Sequence, residues 1–508
     1  MPLARTTSVA LLGLRGALVE VEADLSAQLP GFVLIGLPDA ALGEARDRVR
    51  AAAANAGCPL PNRKLTVNLS PASLPKHGSA FDLAIALAAL AAAGAVEPSS
   101  VAKVVHLGEL GLDGRLRPTE GVLAAVAEAA RLGAETVMVP AGNAEEASLV
   151  PGLRIVPVVS LREAAIWHGA EIEAGEEQPL LAAPLEEIEP DDTDLAEVIG
   201  NEEAVHALLV AAAGGHHLLM LGPPGAGKSM LAARLPGLLP DLDTATALEV
   251  SALRSLSGIA LTRRLDRRPP FEAPHHSATA PALIGGGSGQ LRPGAAARAT
   301  GGVLFLDEAT EFPASVLDTL RQPLETGRIR IHRARATAEF PGRFQLVLAA
   351  NPCPCGLYGA PGDECTCSPA LRRRYLGRLS GPLLDRIDLQ LRLRRITAAQ
   401  LRMSRERAGL GTEEARARVV AARARAEARL AGTGWTRNSE LPGSWLRGEG
   451  RLPRTATADL DRALERGLLT MRGYDRVLRV AWTVSDLDDA GAPAADAVGR
   501  ALALRRPA

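Results

Sequence analysis

Aromatic side chains make up only 3% of the 508 residues, so the interior must be built from Leu, Val, Ile and Ala. Base stacking on aromatic platforms has correspondingly few candidates. Net charge of either sign is missing too. The 57 Lys and Arg against 58 Asp and Glu leave −1, which excludes binding of polyanions by overall charge and confines any nucleic-acid surface to local patches. No apolar run is long enough to span a bilayer; the nearest, Leu83 to Ala95, is short and Ala-rich, as a buried helix would be. Arg15 interrupts the first apolar stretch and alternating sequence follows, so no secretory signal is expected. The expectation is a cytoplasmic protein with no membrane partner. Cysteine is scarce as well: Cys58 stands alone and four lie between 353 and 367. In a reducing compartment such a cluster reads as a metal site before it reads as disulfides.

At this length one core is not enough, and the composition divides the chain. Residues 1–170 read as an α/β unit with strands at Phe32–Ile35, Lys64–Asn68, Val101–Leu107 and Thr136–Val139. Helical spacing runs over Asp39–Ala56, Ala80–Ala93 and Gly121–Leu132. Residues 171–194 carry many acids, several prolines and no Lys or Arg, as a linker would. A second α/β unit with a parallel sheet is expected over 195–393, and a helical lid over 394–508, beginning with the charged helix Thr412–Leu430.

The second unit carries the chemistry. His217–Leu221 is an apolar strand that runs into Gly222, Pro223, Pro224, Gly225, Ala226, Gly227, Lys228 and Ser229, with helical spacing after it. Glycines in such a loop let backbone N–H groups turn inward around phosphate oxygens, and the helix N-terminus adds positive potential. Lys228 is placed to reach the β- and γ-phosphates and Ser229 to ligate magnesium, so ATP and Mg2+ are the expected ligands. Downstream, the apolar strand of Gly301–Glu308 ends in two carboxylates. Asp307 is expected to hold magnesium and Glu308 to activate the attacking water. A third apolar strand, Leu346–Ala350, ends at Asn351, whose amide can sense the γ-phosphate.

These segments resemble AAA+ ATPases of the magnesium-chelatase-like clade, and within it the bacterial ComM/YifB family. The resemblance extends over essentially the whole chain. It is carried by Gly36–Asp39, Arg48–Ala52, Thr66–Pro75, Phe81–Leu87, Pro274–Ser277, Leu283–Gly287, Asn351–Gly356, Leu379–Arg386 and Arg472–Arg476. It implies that Arg386 is an arginine finger acting on a neighbour's ATP and that Arg472 is a second sensor reaching the γ-phosphate from the lid. A finger supplied in trans requires a homo-oligomeric ring, and members of the family form hexamers. The chain departs from the family before the second strand of the site, where Ala295 and Thr300 stand in place of an acidic residue and a His. The first unit resembles the Lon-protease fold. Its nucleophile position falls near Ser79, but the position of the dyad Lys falls at about Leu123, which cannot accept a proton. Peptidase activity is therefore not expected; Ser79 reads as a helix cap and the unit as a binding or assembly module.

Cys353, Cys355, Cys365 and Cys367 can supply four thiolates to one zinc ion. Arg328, Arg330, Arg333 and Arg335 alternate on an expected hairpin, Gly327–Phe340, where they can track a phosphate backbone. ComM-like proteins are helicases that promote branch migration. The expected function is thus ATP-driven DNA remodelling in recombination or natural transformation. The alternative is a magnesium-chelatase-type or protein-remodelling ATPase acting on a protein partner.

Overall fold

The computed structural model describes residues 3–36, 44–72, 74, 76, 78–181, 193–259, 261, 263–287, 291–333, 336–359, 365–397, 402 and 409–505. Alternating side chains turn the start of the chain into a hairpin. β1 (Leu3–Leu12) and β2 (Arg15–Ser26) pair antiparallel with Leu12 opposite Arg15, and the tight turn is permitted by Gly13 at φ +73°. β3 (Gly31–Ile35), β4 (Lys64–Ser70), β5 (Val105–His106), β6 (Thr136–Pro140) and β7 (Arg154–Val158) complete a mixed sheet in the order β3-β4-β2-β1-β5-β6-β7. The helix α1 (Asp82–Ala92) has no polar residue after its first position, and all eleven residues are buried against β1 and β2.

Two sequence expectations shift here. The strand expected over 101–107 shrinks to β5, because Pro98 opens a helical turn, Pro98–Val101, capped by Glu97. The helix expected over 39–56 is observed as Ala45–Asn55, with residues 37–43 outside the described set. Residues 182–192 of the acidic segment expected as a linker also lie outside the described residues.

The second sheet has the order β9-β10-β13-β8-β14 and every pairing in it is parallel. Its strands are β8 (Leu218–Leu221), β9 (Phe271–Glu272), β10 (Val303–Leu306), β13 (Gln345–Ala350) and β14 (Leu389–Arg392). The three central strands are buried at every residue, which is why they read as unbroken apolar runs. Between β10 and β13 the chain makes a separate hairpin, β11 (Arg328–Arg333) with β12 (Ala336–Pro341).

The helices Thr412–Arg429, Met471–Leu487 and Ala495–Ala503 share one apolar cluster with β8 and β14. A buried charge network adds to that seam. Asp388, just before β14, accepts from Arg476 and lies 3.2 Å from His216 Nδ1. Burial alone would raise the Asp388 carboxyl, but Arg476 and His216 hold it well below its ordinary range.

The first unit is packed on the second. The helix Val122–Arg131 shares an apolar cluster with the helix Thr244–Leu256, and Arg292 pairs with Glu120 at 2.7 Å. Gly13 bridges to Glu339 of β12, so the β1–β2 turn braces the hairpin.

Candidate nucleotide site

Parallel strands deliver their carboxyl ends to one edge, and three of them end together here. β13 lies between β8 and β10, with Leu221 opposite Ala350 and Leu306 opposite Leu348. The loop after β8, the carboxylates after β10 and the amide after β13 therefore converge, as ligand groups do at the crevice of an open α/β sheet. The helix after the loop, Lys228–Leu238, begins at the lysine itself, with Gly227 capping it at φ +85°. Gly222 cannot be larger: a β-carbon there would lie 2.8 Å from the Leu393 carbonyl oxygen.

Lys228 is buried, and its Nζ donates to Gly222 O at 2.6 Å, Pro223 O at 3.1 Å and Asn351 Oδ1 at 3.0 Å. Burial lowers its pKa, while Asp307 and Glu308 act in the opposite direction. Ser229 Oγ donates to Asp307 Oδ2 at 2.6 Å, so the two groups expected to hold magnesium meet across the sheet. Arg395 Nε donates to Pro224 O at 3.1 Å and ties the loop to the chain beyond β14. Ala226 is buried beneath the loop. Glu308 has φ +49°, rare for a residue with a β-carbon, and its Oε2 lies 3.0 Å from His276 Nδ1. The donors and carboxylates fit a magnesium-bound nucleotide triphosphate.

The two arginines lie elsewhere. Asp388 and Leu389 donate to His217 O at the start of β8, whereas the phosphate loop leaves its far end. Arg386, two residues before Asp388, is at the sheet edge opposite its own phosphate loop. Its side chain is largely covered, pairs with Glu325 and donates to Pro382 O at 2.5 Å. Burial, then Arg321, Arg476 and Arg472, lower its pKa. Arg472 is exposed, and its Nη1 lies 3.7 Å from Asp385 Oδ2. Asp385 belongs to the far edge, so Arg472 lies with Arg386 and away from the phosphate loop of its own chain.

On the hairpin, Arg328 and Arg330 both pair with Glu339, at 2.6 and 2.9 Å, and hold its carboxyl below the usual range. One carboxylate thus serves two guanidiniums, and the trio keeps a net positive charge on the exposed hairpin. Arg335 lies outside the described residues, as does the side chain of Arg333.

The four cysteines meet. Cys353 Sγ is 3.3 Å from Cys355 Sγ and 3.7 Å from Cys365 Sγ, and Cys355 Sγ is 3.6 Å from Cys365 and 3.5 Å from Cys367. All four sulfurs lie within 4.8 Å of one another. A tetrahedron of Zn–S bonds of about 2.3 Å spaces its sulfurs about 3.8 Å apart, close to these values.

In the first unit Ser79 is not the helix cap that its sequence suggests. Phe81 occupies that position, and Ser79 Oγ donates to Glu109. Leu123 is buried, and Lys76 Nζ is committed to the carbonyls of Gly36, Leu69 and Pro71, so neither supplies a base for Ser79.

Two features escaped the sequence reading. His276 lies in Pro274–Ser277, where the residue types alone assign it no role. A cleft of about 340 Å3 lies between Val198–Gly200, the helix Glu202–Gly214 and Leu410. Its lining is assembled from segments some 200 positions apart, and no local pattern marks it.

The sequence profile of the family described as magnesium chelatase, subunit ChlI, matches residues 194–401. Profiles described as subunit ChlI of Mg-chelatase and as the ChlI C-terminal region match 21–143 and 409–505. An uncharacterized protein of Mycobacterium tuberculosis (strain ATCC 25618 / H37Rv) is 49% identical over 510 residues, covering 100% of this chain and 99% of the relative. Competence protein ComM of Haemophilus influenzae is 40% identical over 492 residues, 96% of this chain and 94% of that protein. Uncharacterized protein YifB of Escherichia coli is 38% identical over 481 residues, 94% and 92% of the two chains.

Proposed function

The chain belongs to the ComM/YifB family of magnesium-chelatase-like AAA+ proteins, and from that premise we propose that it is a cytoplasmic, ring-forming, magnesium-dependent ATPase that remodels DNA. One observation carries the ATPase reading: Lys228, Ser229, Asp307, Glu308 and Asn351 converge at one sheet edge. Lys228 and the loop N–H groups hold the β- and γ-phosphates, and Ser229 with Asp307 holds magnesium. That ion supplies charge neutralisation between the phosphates. Glu308 accepts the proton of the attacking water, and Asn351 orients the γ-phosphate. The cleft beside Val198–Gly200 takes the base, since its helix packs on the one that starts at Lys228. Arg386 and Arg472, together at the opposite edge, serve a neighbouring subunit, and the active form is a ring, hexameric as in the family.

The DNA reading is supported by the arginines that alternate with buried Ile329 on β11 and by the name of the Haemophilus relative, a competence protein. Helicase or branch-migration activity follows from it. The test is steady-state ATPase with single-stranded, duplex and branched DNA at two salt concentrations, with Glu308→Gln as control. Stimulation that weakens with salt is expected, because phosphate contacts release counterions. An ATPase indifferent to every DNA form would move the assignment to a protein substrate, as in a chelatase-type or protein-remodelling ATPase.

Cys353, Cys355, Cys365 and Cys367 hold a zinc ion in this reading. The metal ties down the loop after Asn351, whose Gly356 packs so closely on Pro224 that a β-carbon would come within 2.7 Å of its ring. Purified protein should contain zinc at about one ion per chain by elemental analysis, and Cys355→Ser with Cys367→Ser should lose it. Zinc far below that stoichiometry in the unmutated chain would refute the site.

A further inference from the structure

A two-stranded β-ribbon that stands apart from any larger sheet keeps its shape only if something packs on it. β11 and β12 form such a ribbon. One face of it is apolar. Ile329, Ala338 and Phe340 are buried, Val9 of β1 belongs to the same apolar cluster, and Leu11 and Leu14 pack against that cluster. Arg328 and Arg330, which alternate with Ile329, are exposed. Part of the support under the arginines therefore comes from the first unit.

At one point the approach is backbone on backbone. Gly13, in the turn between β1 and β2, pairs with Glu339 in parallel sense. A β-carbon at Gly13 would lie 2.6 Å from the Glu339 carbonyl oxygen, so only glycine admits the contact. Glu339 joins that contact to the arginines. Arg328 Nη1 donates to its Oε1 at 2.6 Å, and Arg330 Nε donates to its Oε2 at 2.9 Å. Its backbone is thus seated on the first unit while its carboxylate holds both guanidiniums. A second tie runs alongside. Glu120 of the first unit accepts from Arg292 at 2.7 Å, Arg292 pairs with Gly286, and a β-carbon at the adjacent Gly285 would come within 3.0 Å of Ile331 Cδ1 on β11.

We propose that the first unit is the platform of the arginine hairpin and that Gly13 is its positioning residue, setting through Glu339 where Arg328 and Arg330 meet the phosphate backbone of DNA. The proposal rests on the reading of those arginines as DNA contacts. Coulombic attraction alone needs no platform. Two guanidiniums that must meet successive phosphates do, because each phosphate contact depends on where the donor stands.

The test titrates an oligodeoxythymidine into the full-length protein and reads steady-state ATPase together with fluorescence anisotropy of the labelled strand. Gly13→Asn is the main variant. Asparagine tolerates the left-handed backbone at φ +73°, but its β-carbon collides with Glu339. The DNA concentration for half-maximal stimulation should rise roughly fivefold or more, with turnover in the absence of DNA near the unmutated value. Leu14→Ala, which trims the turn instead of crowding it, should shift the same midpoint by less. Gly94→Ala is the control. It also strains a positive-φ glycine of the first unit, at +76°, but its β-carbon meets nothing within 4 Å, and its DNA response should be unchanged. Adding Gly13→Asn to Arg328→Ala with Arg330→Ala should weaken DNA binding no further than the two arginine changes do, since Gly13 acts through them. An unshifted midpoint in both Gly13→Asn and Leu14→Ala overturns the proposal. So does a shift that Gly94→Ala shares, or one that comes with lost turnover in the absence of DNA, since either marks general destabilisation. If the arginine double variant itself responds to DNA like the unmutated protein, the reading of the hairpin fails and the proposal falls with it. A weakened arginine double variant beside unaffected Gly13→Asn and Leu14→Ala keeps that reading and removes only the platform.

Discussion

Lys228→Ala is expected to bind no ATP at concentrations that saturate the unmutated protein, whereas Glu308→Gln binds normally and hydrolyses ~10²–10⁴ times more slowly. The two residues sit on one sheet edge but act on different parts of the reaction. Lys228 Nζ now donates to Gly222 O, Pro223 O and Asn351 Oδ1, a set of acceptors that keeps a buried ammonium charged against the pull of desolvation. Phosphate oxygens are stronger acceptors than carbonyls, so the same ammonium is available to them. Removing it costs the phosphate contact and leaves three acceptors short of a donor, of order 1–3 kcal/mol for each that water cannot reach. Thermal unfolding should therefore accompany the binding measurement, to separate lost affinity from a loosened loop. Glu308→Gln keeps size and shape and removes only the capacity to take a proton. Titration with a fluorescent ATP analogue and single-turnover hydrolysis distinguish the two cases. Hydrolysis by Glu308→Gln at the unmutated rate would remove it from the proton-accepting role.

The parts of this arrangement that could be read in the sequence are those whose chemistry is local. A loop that must wrap phosphates needs glycines at fixed offsets from Lys228, and strands buried on both faces must be apolar throughout. Both constraints are written in consecutive residues. The four cysteines were legible for the same reason, two pairs on one short stretch. What could not be read depends on register and tertiary approach. Glu339 faces Arg330 only because β11 and β12 pair with those two residues opposite one another, and that pairing sets one carboxylate between two of the arginines expected to meet phosphate. His276 meets Glu308 because the chain leaving β9 folds over the end of β10, which no periodicity announces. Ser79 resembles a helix cap by type and place, but the helix starts at Asp82, and the hydroxyl turns to Glu109.

Arg386→Ala is expected to retain ATP binding and to lose steady-state hydrolysis by about 10³-fold or more, the range over which a finger arginine acts on phosphoryl transfer. The topology makes the reason explicit. β14 is parallel to β8, and Arg386 precedes β14 while the phosphate loop follows β8, so a strand length separates the guanidinium from its own Lys228. A residue so placed can touch a phosphate only if another subunit brings one to it. Burial lowers the pKa of Arg386 most, Arg321, Arg476 and Arg472 gathered around it add to that, and Glu325 and Asp385 are the carboxylates against them. An arriving γ-phosphate would compete with Glu325 for Arg386 and relieve the same repulsion. The consequence is a complementation test. Rings of Arg386→Ala alone lack every finger, and rings of Lys228→Ala alone lack every phosphate site. In a mixture, the intact phosphate loop of the first variant meets the intact Arg386 of the second across an interface, and ATPase activity should reappear where neither parent has any. Mixed assemblies that form, by sedimentation, yet stay inactive would show that Arg386 does not act between subunits. Activity in Arg386→Ala alone would show that the phosphate site is complete within one chain.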